Sequence, residues 1–256
     1  MIVYGFHAVA SLFHANIEIR AVHFLRKKSA DRLDDLDLRS RKIPLHEYSE
    51  KERGRFDAEF KRLGGNNEEL DSAQGIFAVI AEVPFVEHLE LLTNAKEKEE
   101  YPLVLYLDSL TDPQNLGAIL RSAAFFGIAG VVVTEARSSP ITPTVIKISS
   151  GGFAHVPIAK VSNLVSALEA AKELGFWTIG LSEHATAKLA EVRFDAPLAL
   201  VIGNEESGIR SLTSKTCDYL ISLPGHGNFV SLNASTAAAV AMTLVRDRQT
   251  QAQNPD

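Results

Sequence analysis

The sequence predicts an α/β protein with two domains, of which the larger contains a parallel β-sheet covered by helices. After Pro102, short continuous apolar strands alternate with helical segments, which is typical of a parallel sheet that is buried on both faces. Before residue 82 the elements are shorter and more polar, which indicates a small mixed α/β domain. We therefore predict a first domain over residues 1–81, a linker over 82–101, a second domain over 102–248 and a polar tail over 249–256.

The first domain is predicted from local hydrophobic periodicity. Its elements are a helix at His7–Phe13, a strand at Ala21–Leu25, charged helical stretches at Ala30–Arg39 and Glu50–Leu63, and a strand at Gly75–Ala81. The following residues 82–101 pass from a proline to a short apolar helix and then to the charged run KEKEE. This change of composition is the reason for assigning them to a linker.

The second domain is predicted from strands and helices that follow one another in alternation. The strands are LVLYLD (103–108), GVVVTE (130–135), FWTIGLS (176–182), PLALVIG (197–203) and DYLISLP (218–224). The helices cover 112–127, 143–150 and 163–175, and a closing helix follows Ser231. Alternation of this kind places the strands in one sheet and the helices on its faces.

Composition narrows the class of protein. A single cysteine, Cys217, rules out an intrachain disulfide framework and a cysteine cluster for metal, and the histidines lack zinc-like spacing, so no metal site is expected. The apolar run from Ala123 to Val133 is shorter than the roughly 20 residues of a membrane span, and the N-terminus lacks the basic start of a signal peptide, so we expect a cytoplasmic protein without membrane association.

The charge is unevenly distributed along the chain. The net charge is −6, yet residues 20–62 carry 13 Lys and Arg against 9 Asp and Glu. One interpretation is an ordinary solvated surface on two helices. The other is a patch that faces the phosphates of RNA.

The segment DPQNLGAILRSAAFFG, residues 112–127, reads as a helix with clear ends. Asp112 can cap it, Pro113 suits its first position, and Gly127 suits its C-terminal cap. Arg121 interrupts its apolar sequence, either as a functional cation or as a side chain whose head lies in water. Asn115 can be a functional amide or a first-turn capping residue.

Two further segments follow predicted strands. LVIGNEESGI (200–209) is neither a Walker loop nor a dinucleotide fingerprint, and it can be a ligand-binding loop or a generic Gly-rich turn. In ISLPGHGNFVSLNAS (221–235), Ser231 or Asn233 can cap the closing helix, and the alanines after Asn233 allow a tight helix interface.

Together these three segments closely resemble the three motifs of the SpoU-type branch of the SPOUT methyltransferases, which methylate a ribose 2′-hydroxyl of RNA with S-adenosylmethionine. Upstream, YGFHAV and AQGIFAVIAEV resemble the N-terminal RNA-binding domain of the 23S rRNA guanosine 2′-O-methyltransferases in this family. The resemblance implies a parallel-sheet catalytic domain with a C-terminal trefoil knot, an N-terminal RNA-binding domain, a homodimer, and RNA as the partner, with rRNA favoured over tRNA.

The resemblance also assigns roles to individual residues. It implies that S-adenosylmethionine is held at Ile202, Gly203, Leu223 and Leu232, and that the polar active-site set is Asn115, Arg121, Glu205, Ser231 and Asn233. Because a guanidinium stays protonated in proteins, we expect Arg121 to bind a phosphate and to stabilise the developing oxyanion.

Several alternatives to this interpretation stay open. A tRNA 2′-O-methyltransferase is one, and a non-catalytic RNA-binding protein of ribosome assembly is another. Departures from the usual motifs are Ala234, Glu206 and the run SSGGFAH at 149–155, none of which is in the polar set.

Overall fold

The structure, a computed structural model, describes residues 1–13, 17–26, 42–185, 192, 194–225 and 232–253. It divides into two compact units, each with its own sheet. The first unit comprises Met1–Pro84 and Ile141–His155, and the second comprises Phe85–Pro140 and Val156–Asp256. The predicted charged helix at Ala30–Arg39 lies outside the described residues.

The strands among the described residues are β1 Ile2–Tyr4, β2 Ile19–Leu25, β3 Leu45–Tyr48, β4 Ile76–Ile80, β5 Leu103–Leu107, β6 Gly130–Thr134, β7 Ile158–Val161, β8 Trp177–Leu181, β9 Leu198–Ile202 and β10 Tyr219–Ile221. The α-helices there are α1 Phe6–Leu12, α2 Arg53–Arg62, α3 Asn67–Ser72, α4 His88–Lys98, α5 Pro113–Phe125, α6 Pro143–Ile148, α7 Leu164–Glu173, α8 Ser211–Thr216 and α9 Ala234–Gln253. None of these helices has both the length and the apolar composition that crossing a membrane requires.

The first unit is a four-stranded mixed sheet in the order β1-β4-β2-β3. β4 pairs antiparallel with β1 and β2, and β3 lies parallel to β2.

On one face, His23 stacks between Phe77 and His46, with ring centroids 4.5 and 4.4 Å away. Its Nδ1 lies 3.0 Å from the hydroxyl of Tyr48. Burial in this cluster lowers the pKa of His23 to about 4, because a charged imidazole would lose its hydration.

The second unit is a six-stranded sheet in the order β10-β8-β9-β5-β6-β7, and all of its pairings are parallel. This confirms the predicted parallel-sheet α/β fold. β5, β6 and β9 are buried along their whole length, which explains why they read as continuous apolar runs. α9 packs against α5, and its small residues Ala238 and Ala241 are fully buried or nearly so.

The segment predicted as a linker contains α4, which packs into the core of the second unit. Leu91, Leu92 and Ala95 are buried there with Leu168 and Val201. Apolar residues at these spacings are typical of a packed helix. The sequence favours a linker here because this apolar stretch is short and the charged run KEKEE follows it. At the other end, α9 continues to Gln253 and buries Gln249. Nε2 of Gln249 donates to the carbonyl of Tyr101 over 2.9 Å. Residues 249–253 were expected in a polar tail, and they form the last turn of a packed helix.

The segment 141–155 packs within the first unit although it comes from the middle of the predicted second domain. Val145 and Phe153 are buried there. A Cβ atom at Gly151 would lie 2.3 Å from Cβ of Ser11, and Gly151 has a φ of 93°, so this contact requires glycine. The first unit is therefore built from two separate stretches of chain.

Candidate active site

The candidate active site lies where the strand order of the second sheet reverses. The chain runs outward from β5 to β6 and β7, and later places β9 on the other side of β5. In open parallel sheets, ligands bind at the carboxyl ends of the strands next to such a reversal. β5 and β9 end side by side, with the Asp108 N–H donating to the Ile202 carbonyl over 2.8 Å.

α5 brings Asn115 to this point. Asp112 caps the helix by accepting from the Gln114 N–H over 2.8 Å, and Pro113 occupies the first turn, as predicted. The cap is therefore supplied by Asp112, and the buried side chain of Asn115, 4% exposed, instead donates from Nδ2 to Oε1 of Glu205. Two residues of the predicted polar set, 90 positions apart in sequence, thus meet.

The loop after β9 presents Glu205 in a closed turn. Asn204 and Gly208 exchange two backbone hydrogen bonds of 3.0 and 2.9 Å. Oδ1 of Asn204 accepts from the N–H groups of Glu206 and Ser207. A Cβ atom at Gly203 would lie 2.2 Å from the carbonyl carbon of Gly208, so the turn can fold back on the strand end only with glycine there.

Two residues outside the predicted set, Asp108 and Arg210, also join the segments after β5 and β9. The carboxylate of Asp108 is completely buried and accepts from the backbone N–H and from Nε of Arg210, over 3.0 and 2.5 Å. Nδ2 of Asn204 donates to the Ser109 carbonyl over 3.0 Å. An acidic residue directly after an apolar strand is the only trace of this pairing in the sequence.

Arg121 lies six residues beyond Asn115 on α5, about 9 Å further along the axis. It is exposed, and it forms no hydrogen bond or ion pair with the described residues. Arg62, Arg210 and Arg246, in contrast, each pair with a carboxylate. The guanidinium of Arg121 therefore lies at the surface without a partner among the described residues.

The residues predicted to hold the cofactor are near the ends of β9 and β10. Ile202 has a buried side chain and a carbonyl occupied by Asp108, whereas the N–H groups of Gly203 and Leu223 donate to no described residue. Leu232 is 53% exposed. β8 separates β9 from β10, so their ends are about 10 Å apart. This span is suited to an extended small molecule with apolar and hydrogen-bonding groups.

Asn233 caps α9. Its Oδ1 accepts from the backbone N–H and hydroxyl of Ser235, over 3.0 and 2.6 Å, and from the Thr236 N–H over 3.4 Å. Only Nδ2 of this side chain is left for another role. No hydrogen bond joins Asn233 to Asn115 or Glu205 among the described residues, and Ser231 lies outside them. Groups of three or more His, Cys, Asp or Glu side chains able to hold a metal do not occur in the described part of the chain.

Comparison with known proteins agrees with this geometry. The sequence profile of the SpoU rRNA Methylase family matches residues 102–243. The TrmH-family protein YacO of Bacillus subtilis is 43% identical over 169 residues, which cover 66% of this chain and 68% of YacO. A tRNA/rRNA methyltransferase of Synechocystis is also 43% identical over 169 residues, but these cover only 44% of its length.

Solved structures share the fold over nearly the whole chain. The SpoU methyltransferase AviRb from Streptomyces viridochromogenes, in complex with AdoMet, has a TM-score of 0.75 and 23% identity, with 98% of this chain and 91% of AviRb covered. A TrmH-family protein of Porphyromonas gingivalis has a TM-score of 0.75 and 26% identity, with 96% and 89% covered. Since the family profile spans the parallel sheet and the segments that meet at its reversal, the chain belongs to the SpoU rRNA Methylase family.

Proposed function

We propose that this protein methylates the 2′-hydroxyl of a ribose in RNA with S-adenosylmethionine as donor, and that its target is a guanosine of 23S rRNA. The observation that supports this most directly is the contact between Asn115 and Glu205, which assembles polar groups at the sheet reversal. The names of the relatives, tRNA/rRNA methyltransferases, favour an RNA substrate. The resemblance of the first domain favours rRNA.

The residues near the ends of β9 and β10 fit the cofactor. The N–H groups of Gly203 and Leu223, which donate to no described residue, suit the acceptors of a nucleoside, and the exposed Leu232 can pack on the face of its base. AviRb, of the same fold, was solved with AdoMet. S-adenosylmethionine supplies an electrophilic methyl group on a sulfonium. In this proposal Ile202 lies beside it, and the trefoil knot expected from the resemblance brings Leu232 to Gly203.

The chain's own residues then orient the ribose and manage its charge. The guanidinium of Arg121 binds the phosphate beside the target ribose and stabilises the oxyanion that forms as the hydroxyl loses its proton. Asn115 holds Oε1 of Glu205, which leaves Oε2 to accept a hydrogen bond from the hydroxyl or from a water that takes its proton. The resemblance adds Ser231 to the groups that act on the ribose, and the Nδ2 group of Asn233 joins them in this proposal.

We further propose that the protein acts as a homodimer. Phe125, at the C-terminal end of α5, is 82% exposed, and Val240 on the adjacent α9 is 37% exposed. Exposed apolar side chains that form one continuous patch mark interaction surfaces. A second copy of the chain packed on these two helices would cover both.

The test is methyl transfer from labelled S-adenosylmethionine to separated rRNA and tRNA fractions. Label in 23S rRNA that survives alkaline hydrolysis as a dinucleotide supports the proposal, because a 2′-O-methyl group blocks cleavage of the neighbouring phosphodiester. Label confined to nucleobases contradicts it. Label in tRNA favours the alternative substrate, and binding of RNA without transfer favours the non-catalytic alternative, against which the intact Asn115–Glu205 contact counts.

A further inference from the structure

We propose that Asp108 and Arg210 are positioning residues for the methyl-transfer reaction, and that their ion pair holds the loop 203–210 so that Glu205 meets Asn115. This inference rests on the proposed function, because that function gives the position of Glu205 its importance. Neither residue belongs to the motif positions that the sequence indicates.

The first reason is the environment of Asp108. Its side chain has no exposed surface, and its two oxygens accept from the Arg210 N–H over 3.0 Å, from Arg210 Nε over 2.5 Å and from the Ser109 hydroxyl over 3.2 Å. A carboxylate in such a place is kept only by donors that match its geometry. Two of these three donors come from Arg210, the last residue of the loop.

The second reason is what the loop lacks without this pair. The hydrogen bonds between Asn204 and Gly208 close the turn, but they do not attach it to the rest of the sheet. Among the described residues, side-chain hydrogen bonds attach it at Asn204, Glu205 and Arg210, and all of them reach the segment 108–115 after β5. The contact at Asp108 is the one in which both partners are charged, and it fixes the C-terminal end of the loop.

The third reason is the distance that the pair spans along the chain. Asp108 and Arg210 are 102 residues apart, and their contact parallels that of Asn115 and Glu205, 90 residues apart. Two parallel connections between the same segments resist rotation of the loop about either one. Loss of the ion pair would leave the loop attached only at Asn204 and Glu205, and Glu205 would then be held less firmly beside the ribose.

A second ion pair of the same unit provides a matched control. The carboxylate of Asp218 also accepts three hydrogen bonds, from Lys172 Nζ over 2.7 Å and from the N–H and hydroxyl of Thr178 over 2.8 Å each. It connects α7 with β8, and among the described residues no hydrogen bond or ion pair joins it to the loop. Lys172→Met should therefore lower stability without disturbing Glu205.

The first measurement is amide hydrogen exchange of the protein without ligands, compared among wild type, Arg210→Met, Asp108→Asn and Lys172→Met. We expect exchange at residues 204–208 to rise about tenfold or more in the Arg210 and Asp108 variants, because the C-terminal end of their loop loses its charged attachment. Lys172→Met should leave exchange there unchanged. Wild-type exchange of this loop in both Arg210→Met and Asp108→Asn would overturn the proposal, whatever happens to the melting temperature.

The second measurement is methyl-transfer kinetics below the melting temperature of each variant. A displaced Glu205 should lower kcat about tenfold to a hundredfold while KM for 23S rRNA stays within about threefold, and Arg210→Lys should recover part of kcat. Equal kcat in wild type and Arg210→Met contradicts a positioning role. If Arg210→Met does not fold, Arg210→Lys and Asp108→Asn give the answer. If the wild type transfers no methyl group, the proposed function fails, and the exchange measurement still decides whether the pair holds the loop.

Discussion

The two units of the chain both bury polar side chains, but they connect them differently. In the first unit, His23 is 5% exposed, and its partner Tyr48 lies on the neighbouring strand of the same sheet. In the second, Asn115 and Asp108 are buried, and their partners Glu205 and Arg210 lie on a different loop. A buried polar contact within one sheet stabilises a core. One that joins two strand-end segments fixes the geometry of a site.

Removing the contact between Asn115 and Glu205 tests most directly whether a polar contact in the second unit serves the site. We expect Asn115→Ala and Glu205→Gln each to lower the methyl-transfer rate by about 100-fold or more. Glu205→Gln loses the carboxylate proposed to accept from the reacting hydroxyl, and Asn115→Ala loses the donor that holds that carboxylate in place. The double variant should be little slower than either single one, since the two residues act as a unit. Single-turnover rates measure this.

Glu206→Gln is the matched control, because Glu206 is exposed in the same turn and only its backbone is hydrogen-bonded to other described residues. Its rate should be that of the wild type. Additive losses in the double variant would mean that Asn115 and Glu205 act separately, against the proposal that their contact organises the site.

In the first unit, the buried polar residue His23 should affect the stability of the fold and the dependence of that stability on pH. Folding lowers the pKa of His23 from 6.5 to about 4. Between these two pH values the imidazole is therefore protonated in the unfolded chain and neutral in the folded unit. The free energy of unfolding should therefore decrease as the pH falls from about 6.5 to about 4, by about 3 kcal/mol over the whole window.

His23→Phe tests this, since phenylalanine can keep the stack with Phe77 but cannot be protonated. Hydrogen exchange of the β2 amides at pH 7 and pH 4.5 should show a smaller pH effect in the variant. His184→Gln, at an exposed side chain, should leave the pH effect unchanged. An undiminished pH effect in His23→Phe would assign the acid sensitivity to other groups.

The fold of the second unit could be predicted well because its strands are buried on both faces. β5, β6 and β9 are continuous apolar runs, whereas β7 was missed because it has only four residues and exposes Lys160. β1 and β3 were missed for the same reason of length. In short strands the apolar pattern has too few residues to stand out from a loop.

Some residues of the site could likewise be predicted from the sequence, and others could not. Asn115 and Glu205 were identified from the motifs that contain them, and the structure brings them together. Asp108 and Arg210 were not, because the pairing depends on two strands that become neighbours only in the folded sheet. Local sequence shows that Asp108 follows an apolar run but cannot show which cation will reach it.

Arg121 gives a smaller expected effect and distinguishes charge from shape. If its role is electrostatic, Arg121→Lys should keep the methyl-transfer rate within about tenfold of wild type, whereas Arg121→Met should lose more. Since the side chain is exposed, both variants should keep the free energy of unfolding within about 0.5 kcal/mol. A rate for Lys as low as that for Met would instead indicate that the planar guanidinium is required. Lys215→Met, at another exposed cation of the second unit, should change neither quantity.

Asn233 gives the smallest expected change and tests whether one side chain serves both a helix end and the site. Asn233→Ala should cost about 1 kcal/mol through loss of the cap, and Asn233→Ser should keep most of that stability, because a serine hydroxyl also caps helices. If Nδ2 faces the ribose, both variants should be about tenfold slower, since both lack the amide. Asn163→Ala, which removes the cap of α7, should cost similar stability at an unchanged rate. A wild-type rate in Asn233→Ser would mean that capping is the whole contribution of this residue, and would remove it from the active site.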